Sequence, residues 1–394
     1  MIAKWSEAHE AGNTTGVLLW DLSSAFDTID VDLLCRKLEL YGLTSQSICW
    51  FRSFLTDRTQ RVQIGSSTSE PEPVSIGCPQ GSLLSPMLFL IYIADMKLWI
   101  NDAEITCYAD DTATYISDMN EDTVISRLEG DAARVLRFMT SNHLSANTKK
   151  TGFLLIRRKR SSERRGINVR DDFIAEEDNQ RILGLTVNNT LTWSDHVLGK
   201  GGLLNAVHQR TGALRRISHQ VPKKSLPTIA SAIVASKIRY GIAIYGGARI
   251  RESDPTSELN RSLQIGLNRA MRVATKCRVC DHVAIADLVD RTGIQSVNRM
   301  SAEDKLRLVW NSVKDNGSPL ADVFHPLSCE AAGRSSRSIL RGDLQSRAKT
   351  TLSQKNFPEP AIRLWNASTA SVHESTSKYT SKKAIRAFVN TIPL

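Results

Sequence analysis

The run Ala103-Glu104-Ile105-Thr106-Cys107-Tyr108-Ala109-Asp110-Asp111-Thr112-Ala113-Thr114-Tyr115-Ile116-Ser117 decides the fold. Two β-prone segments flank a short polar turn, the pattern of a hairpin with acids at its tip. Adjacent aspartates are common in turns for a bland reason: their side chains bond neighbouring backbone groups and tolerate left-handed conformations. The pair gains meaning from what lies upstream. Gly16-Val17-Leu18-Leu19-Trp20 is an apolar run without alternation, as expected for a buried central strand, and Asp21 stands where it ends. Two carboxylates at a hairpin tip and a third on a separate strand can bridge two divalent cations, and Mg²⁺ suits an all-oxygen ligand set.

Between these acids lies Gly77-Cys78-Pro79-Gln80-Gly81-Ser82-Leu83-Leu84-Ser85-Pro86, a segment that neither turn chemistry nor core packing requires. Its two glycines are expected to allow close backbone approach. Here the chain resembles the reverse transcriptases of non-LTR (LINE-like) retrotransposons, and the match runs in family order. Asp21-Leu22-Ser23-Ser24-Ala25-Phe26-Asp27 resembles motif A, Gly77 to Pro86 motif B and Tyr108 to Asp111 motif C. Leu144-Ser145-Ala146-Asn147-Thr148-Lys149-Lys150-Thr151 resembles motif D. Ile182-Leu183-Gly184-Leu185, with Leu191-Thr192-Trp193 and His196, resembles motif E and its sequel. Beyond about residue 200 the likeness is less sharp, although Ala361-Ile362-Arg363-Leu364-Trp365-Asn366 resembles the tail of such elements.

The resemblance implies roles. Asp21 and Asp110 would be shared metal ligands with Asp111 completing the cluster, holding two Mg²⁺ ions, with Mn²⁺ as an alternative. Phe26 would sit beneath the incoming sugar and favour dNTPs over rNTPs, although a Phe just after a strand is ordinarily core. Asp27 reads as structural. Gln80 and Gly81 would contact template and nucleotide. Lys150 would protonate or neutralise the pyrophosphate leaving group; the plain alternative is a surface loop lysine. The implied partners are an RNA template, a DNA primer and dNTPs. An RNA-dependent RNA polymerase is a more distant competitor, disfavoured by Phe26 and the Tyr-Ala-Asp-Asp form. A catalytically inactive fold that binds RNA or an RNA/DNA hybrid is the alternative to an active polymerase.

The chain has 51 Lys+Arg against 41 Asp+Glu, a formal charge of +10. Residues 1–100 hold 7 basic and 11 acidic residues, which leaves +14 for the remainder. The densest basic run is Arg157, Arg158, Lys159, Arg160, Arg164 and Arg165, after the strand-like Phe153-Leu154-Leu155-Ile156. Phosphate contacts from it would be sequence-independent and salt-sensitive, a solvated loop being the competing reading and nuclear import a third. Seven scattered cysteines and no secretory signal make reduced, intracellular thiols the default. Cys277-Arg278-Val279-Cys280 with His282 is half of a zinc pattern that lacks a second pair. Leu83 to Ile100 reads as a core helix and not a membrane span, because Ser85, Pro86, Asp95 and Lys97 interrupt it.

The expected architecture is α+β. A palm with a central antiparallel sheet backed by helices on one face spans residues 1–190, and a mostly helical thumb and C-terminal extension spans 191–394. Helices are expected over Leu198–Ile217, Lys223–Tyr240, Glu258–Lys276, Ala302–Lys314, Gln345–Phe357 and Ser381–Asn390, with a Ser/Thr-rich loop at 368–381. Only 20 residues precede Asp21. In the light of the resemblance, the fingers segment and the endonuclease domain are expected to be missing. The chain then reads as an internal piece of an element's polyprotein.

Overall fold

The computed structural model describes the chain except residues 23–24, 159–163, 248, 255–256, 316, 319, 325–341, 347 and 349–353. Two compact units are present, residues 12–183 and residues 1–11 together with 184–394.

The first unit is organised by a four-stranded antiparallel sheet. In spatial order its strands are Glu104–Tyr108, Asp111–Asp118, Thr14–Trp20 and Gly152–Ile156. The unalternating apolar run at 16–20 is thus an interior strand, bonded on both sides, as its composition requires. Gly152–Ile156 is buried throughout. Helix Glu121–Ser141 lies across this sheet, and Gly16 sets how closely: a Cβ there would stand 2.6 Å from Val124 Cγ1. Val124 and Leu128 of the helix share one core with Leu18, Trp20, Ile116, Phe153 and Leu155. Trp20 meets its polar need inside this core by donating Nε1 to Thr114 Oγ1 at 3.0 Å.

Helices Val31–Leu40 and Ser85–Ile93 complete the core. The first starts where Asp30 Oδ1 accepts the Leu33 N–H at 2.8 Å, a side-chain N-cap. The second carries Pro86 in its first turn and gives way at Ala94 to a 3₁₀ turn, so the expected single element at 83–100 is two. Tyr92 joins these pieces: its hydroxyl donates to Asn142 O at 2.6 Å, and its own carbonyl accepts Lys37 Nζ at 2.6 Å. Lys37 is buried with Asp95 as its ion partner, and burial lowers its pKa despite that partner.

The second unit is mostly helical, with its longer helices at Leu203–Ile217, Glu258–Thr275, Val297–Lys314 and Lys378–Thr391. The first starts five residues later than expected because Gly199, Gly201 and Gly202 interrupt the pattern. Lys223–Arg239 is not one helix. It passes from a 3₁₀ turn through an α segment into a π segment at Ser231–Ala235 and back to α. Arg210 Nη1 donates to Ile233 O and Ser236 Oγ to Ala232 O, so side chains take carbonyls that the ladder would otherwise use. The expected helix at 345–357 falls partly outside the described residues; its described start is not helical, only Gln354 and Lys355 near its end are, and the Leu344 N–H is held by Asn366 Oδ1 at 2.7 Å. The Ser/Thr-rich stretch includes a short helix, Ala370–His373, whose His373 ring packs on Trp365. Among the described residues no helix is long and apolar enough to cross a membrane.

One buried acid ties the first unit's helix to its sheet. Asp131 is fully buried and accepts the backbone N–H groups of Asn101, Asp102 and Ala103 at 3.0, 2.9 and 2.6 Å, with Arg134 Nη1 at 2.9 Å. Burial alone would raise its pKa; the three amides and the guanidinium outweigh it and hold the carboxyl below its ordinary value. Asp131→Ala strands three amide donors, so it is expected to cost about 3 kcal/mol in chemical denaturation. A carboxyl with a depressed folded-state pKa contributes stability above its unfolded value, about 3.9, and loses it as pH falls through the folded value. The wild-type chain should therefore lose its advantage over the variant below about pH 4.

Candidate active site

The sheet places the three acids by register. Trp20 pairs with Thr112, so Asp21 follows at the strand end beside Asp111. Tyr108 pairs with Asp111, which leaves Ala109 and Asp110 as a two-residue hairpin loop. Such a loop needs left-handed backbone, and Ala109 supplies it at φ +52°. Asp21, Asp110 and Asp111 thus share one end of the sheet. The Asp111 pKa is raised, first by burial and then by the charges of Asp110 and Asp21.

Two loops dock on the residues that follow the central strand. Asn147 N–H donates to Asp21 O at 2.8 Å and Leu22 bridges Ala146, which brings Lys150 Nζ to 3.8 Å from Asp21 Oδ2. On the other side, Gly77 N–H donates to Ile29 O and Cys78 N–H to Phe26 O, both at 2.8 Å. Gly77 has φ +81°, and a Cβ there would sit 2.8 Å from Asp27 Cα and O. It therefore meets both conditions that call for glycine. Gly81 meets only one: its φ is +83°, but nothing lies within 4 Å of a Cβ. Close approach by the chain itself is thus seen at Gly77, while the space above Gly81 is open.

Gln80 Nε2 donates to Asp27 Oδ1 and Oδ2 at 2.9 and 3.1 Å, so the residue read as structural orients the glutamine amide. The signal was the Phe-Asp pair after the strand; the pairing across 53 residues has no local signature. Phe26 is half-buried and packs its ring on Phe89 with centroids 4.8 Å apart. Asp21, Phe26, Asp27, Gly77, Gln80, Asp110, Asp111 and Lys150 all belong to the unit of residues 12–183.

The basic run divides differently from its appearance in sequence. Arg157 is buried, with Nη1 on Glu121 Oε1 at 2.7 Å and Nη2 on both Glu176 oxygens at 2.5 Å. That geometry makes it a brace between helix and sheet. Arg164 pairs with Asp178 at 3.2 Å and Arg165 with Asp122. Arg158 is exposed, and Lys159 and Arg160 lie outside the described residues. Among the described residues no three His, Cys, Asp or Glu side chains are gathered closely enough to hold a metal ion, the Cys277/Cys280/His282 group and the Asp21/Asp110/Asp111 group included.

Residues 2–187 match the family model of the reverse transcriptases (RNA-dependent DNA polymerases). That stretch, just under half of the chain, is a domain of this family. Three relatives from Drosophila melanogaster place it in the non-LTR group expected from the motifs. It is 24% identical over 234 residues to the RNA-directed DNA polymerase from mobile element jockey, covering 57% of this chain and 25% of that protein. It is 28% identical over 272 residues to the probable RNA-directed DNA polymerase from transposon BS, covering 65% and 28%. With the corresponding protein of transposon X-element it shares 24% over 311 residues, covering 76% and 33%. The chain thus spans a quarter to a third of the length of these relatives. The sheet with its acid-tipped hairpin is the palm of a reverse transcriptase.

The two motif B glycines are separable by experiment. Gly77→Ala combines a disfavoured φ with a backbone clash and is expected to cost about 3 kcal/mol or more, against about 1–2 kcal/mol for Gly81→Ala, where only φ is at stake. Urea denaturation of the two variants checks the order; equal costs would remove the docking role of Gly77.

Proposed function

We propose that this reverse transcriptase homologue is an RNA-directed DNA polymerase that adds dNTPs to a primer 3′-hydroxyl on an RNA template. The observation that carries the reading is the register that sets Asp21 beside the Asp110-Asp111 hairpin at one end of the sheet. The donor types suit a hard divalent cation, three carboxylates with no thiol or imidazole among them, although the side chains would have to draw together around it. Two Mg²⁺ ions held by these carboxylates would activate the primer hydroxyl and clamp the triphosphate. Mn²⁺ suits the same oxygens.

The other residues take roles that follow from their surroundings. Phe26, braced by Phe89, presents an apolar floor on which a 2′-hydroxyl finds no partner. Asp27 takes both amide contacts of Gln80 Nε2, which leaves the Gln80 carbonyl oxygen to accept from nucleotide or template. Gly81, with open space above it, lets a ligand approach the backbone. Lys150 beside Asp21 is a cation on a mobile stem, placed to neutralise or protonate a departing pyrophosphate.

Primer extension on an RNA template with Mg²⁺ and dNTPs tests this. Synthesis by the wild-type chain is expected to be lost in Asp110→Ala while the far-ultraviolet circular dichroism is unchanged. Folded wild-type protein that synthesises nothing would sink the reading. Phe26→Val is expected to raise rNTP incorporation relative to dNTP by at least ~10-fold. An unchanged ratio would show that Phe26 is core packing and not a sugar gate.

A further inference from the structure

Arg58 stands outside the candidate site but holds the loop that enters it. Helix Ser45–Leu55 ends at the buried Leu55, and Asp57, at φ +56°, turns the chain sharply into the short strand Arg58–Gln60. The Arg58 side chain therefore reaches back over the helix end. Its Nε donates to Leu55 O at 2.8 Å, one of the carbonyls that a last helical turn leaves unpaired. Its Nη2 donates to Ile76 O at 2.8 Å and to Gly77 O at 2.6 Å, across 18 and 19 residues of sequence. Strand register supplies that reach, because Arg58 pairs with Val74, two residues before Ile76. A half-buried cation is ordinarily answered by a carboxylate. Among the described residues Arg58 has none within ion-pair distance, and backbone carbonyls take its place.

The carbonyls it holds are those that aim the loop. The peptide joining Gly77 to Cys78 is gripped on both edges, its oxygen by Arg58 Nη2 and its N–H by Phe26 O at 2.8 Å. A planar unit bonded on both edges cannot rotate without breaking a bond. Its neighbour Gly77 lies against the backbone of Asp27, where even a Cβ would stand 2.8 Å from Cα and O. Two residues on, Pro79 O accepts Ser85 Oγ at 2.6 Å, and Gln80 follows with its amide on Asp27. Freeing the Gly77 carbonyl would release one edge of the gripped peptide and loosen the path that delivers Gln80.

We propose that Arg58 is a positioning residue of the polymerase reaction: by holding the Gly77–Cys78 peptide it sets where Gln80 meets the incoming nucleotide, and so governs nucleotide affinity without touching the nucleotide. This role rests on the polymerase reading above. A lysine keeps the charge but offers one nitrogen where Arg58 uses two, so Arg58→Lys separates geometry from charge.

The test has two arms, both on the full chain. In steady-state primer extension on an RNA template, Arg58→Lys is expected to raise the KM for dNTP by ~10-fold or more while kcat stays within ~3-fold. In a Gln80→Ala background the same change is expected to add less than ~3-fold, because the group it positions is gone. The second arm is hydrogen–deuterium exchange without nucleotide. Peptides carrying the Gly77 and Cys78 amides are expected to exchange at least ~10-fold faster in Arg58→Lys, with the strand Gly152–Ile156 unchanged. Arg58→Met, which has no donor left, is expected to show both effects more strongly. An unmoved KM, full additivity with Gln80→Ala, or unchanged exchange at Gly77 and Cys78 overturns the proposal. Faster exchange that extends to Gly152–Ile156 does so too, since it marks general loosening of the fold. Folded wild-type chain that synthesises nothing sinks the polymerase reading and this role with it, whereas synthesis with an unmoved KM in Arg58→Lys sinks this role alone.

Discussion

The antiparallel register between Thr14–Trp20 and Asp111–Asp118 is the constraint on which the candidate site depends. A strand has a period of two, so a slip of one residue would turn Gly16, Leu18 and Trp20 away from the helix that covers them. Gly16 makes that slip costly, because only a residue without Cβ fits 2.6 Å from Val124. The same register sets Trp20 opposite Thr112, and from there the positions of Asp21 and Asp111 are no longer free. A packing requirement in the middle of the sheet thereby fixes the chemistry at its end.

What surrounds the acids is held in part by backbone contacts, with Arg58 and Ser85 side chains also bonding the carbonyls of Gly77 and Pro79. Asn147 bonds the carbonyl of Asp21, while Gly77 and Cys78 bond those of Ile29 and Phe26. Main-chain contacts of this kind do not depend on which side chains the docked loops carry. Gln80 and Lys150 are therefore presented by loops whose path is already set, and each has only its terminal group left to orient. Asp27 does this for Gln80 and Asp21 limits the reach of Lys150.

The sheet and the hairpin were legible in sequence because both rest on local patterns, an unalternating apolar run and a two-residue polar turn between β-prone segments. The long helices were legible for the same reason, though not their starts at Leu203 and Val297, which glycines and a Ser296 cap decide. The buried charges were not. Arg157 read as one of a run of exposed cations, yet Glu121 and Glu176 enclose it from segments 36 and 19 residues away. Asp131 gave no sign of holding three amides, and Lys305, fully buried with Nζ on Gly246 O and Ser301 Oγ, looked like any helix-surface lysine. Partnership across distant segments leaves no trace in composition, so charge counts located basic and acidic regions but misjudged which members were available to a ligand.

Asp131 and Asp111 show what availability means physically. Asp131 is fully buried and Asp111 stays largely exposed, yet the solvent each loses pushes its carboxyl toward the neutral form. Around Asp131 three amides and a guanidinium reverse that push, so the charge is satisfied and has no further work to do. Around Asp111 the nearest charges are Asp110 and Asp21, of the same sign, and they add to it. A fold that gathers like charges at a sheet end accepts a local cost that one substitution would remove. A cation would relieve that cost, and among the described residues Lys150 lies 3.8 Å from Asp21. The like charges at this end of the sheet, and not the number of acids in it, are what set the candidate site apart from another capped turn.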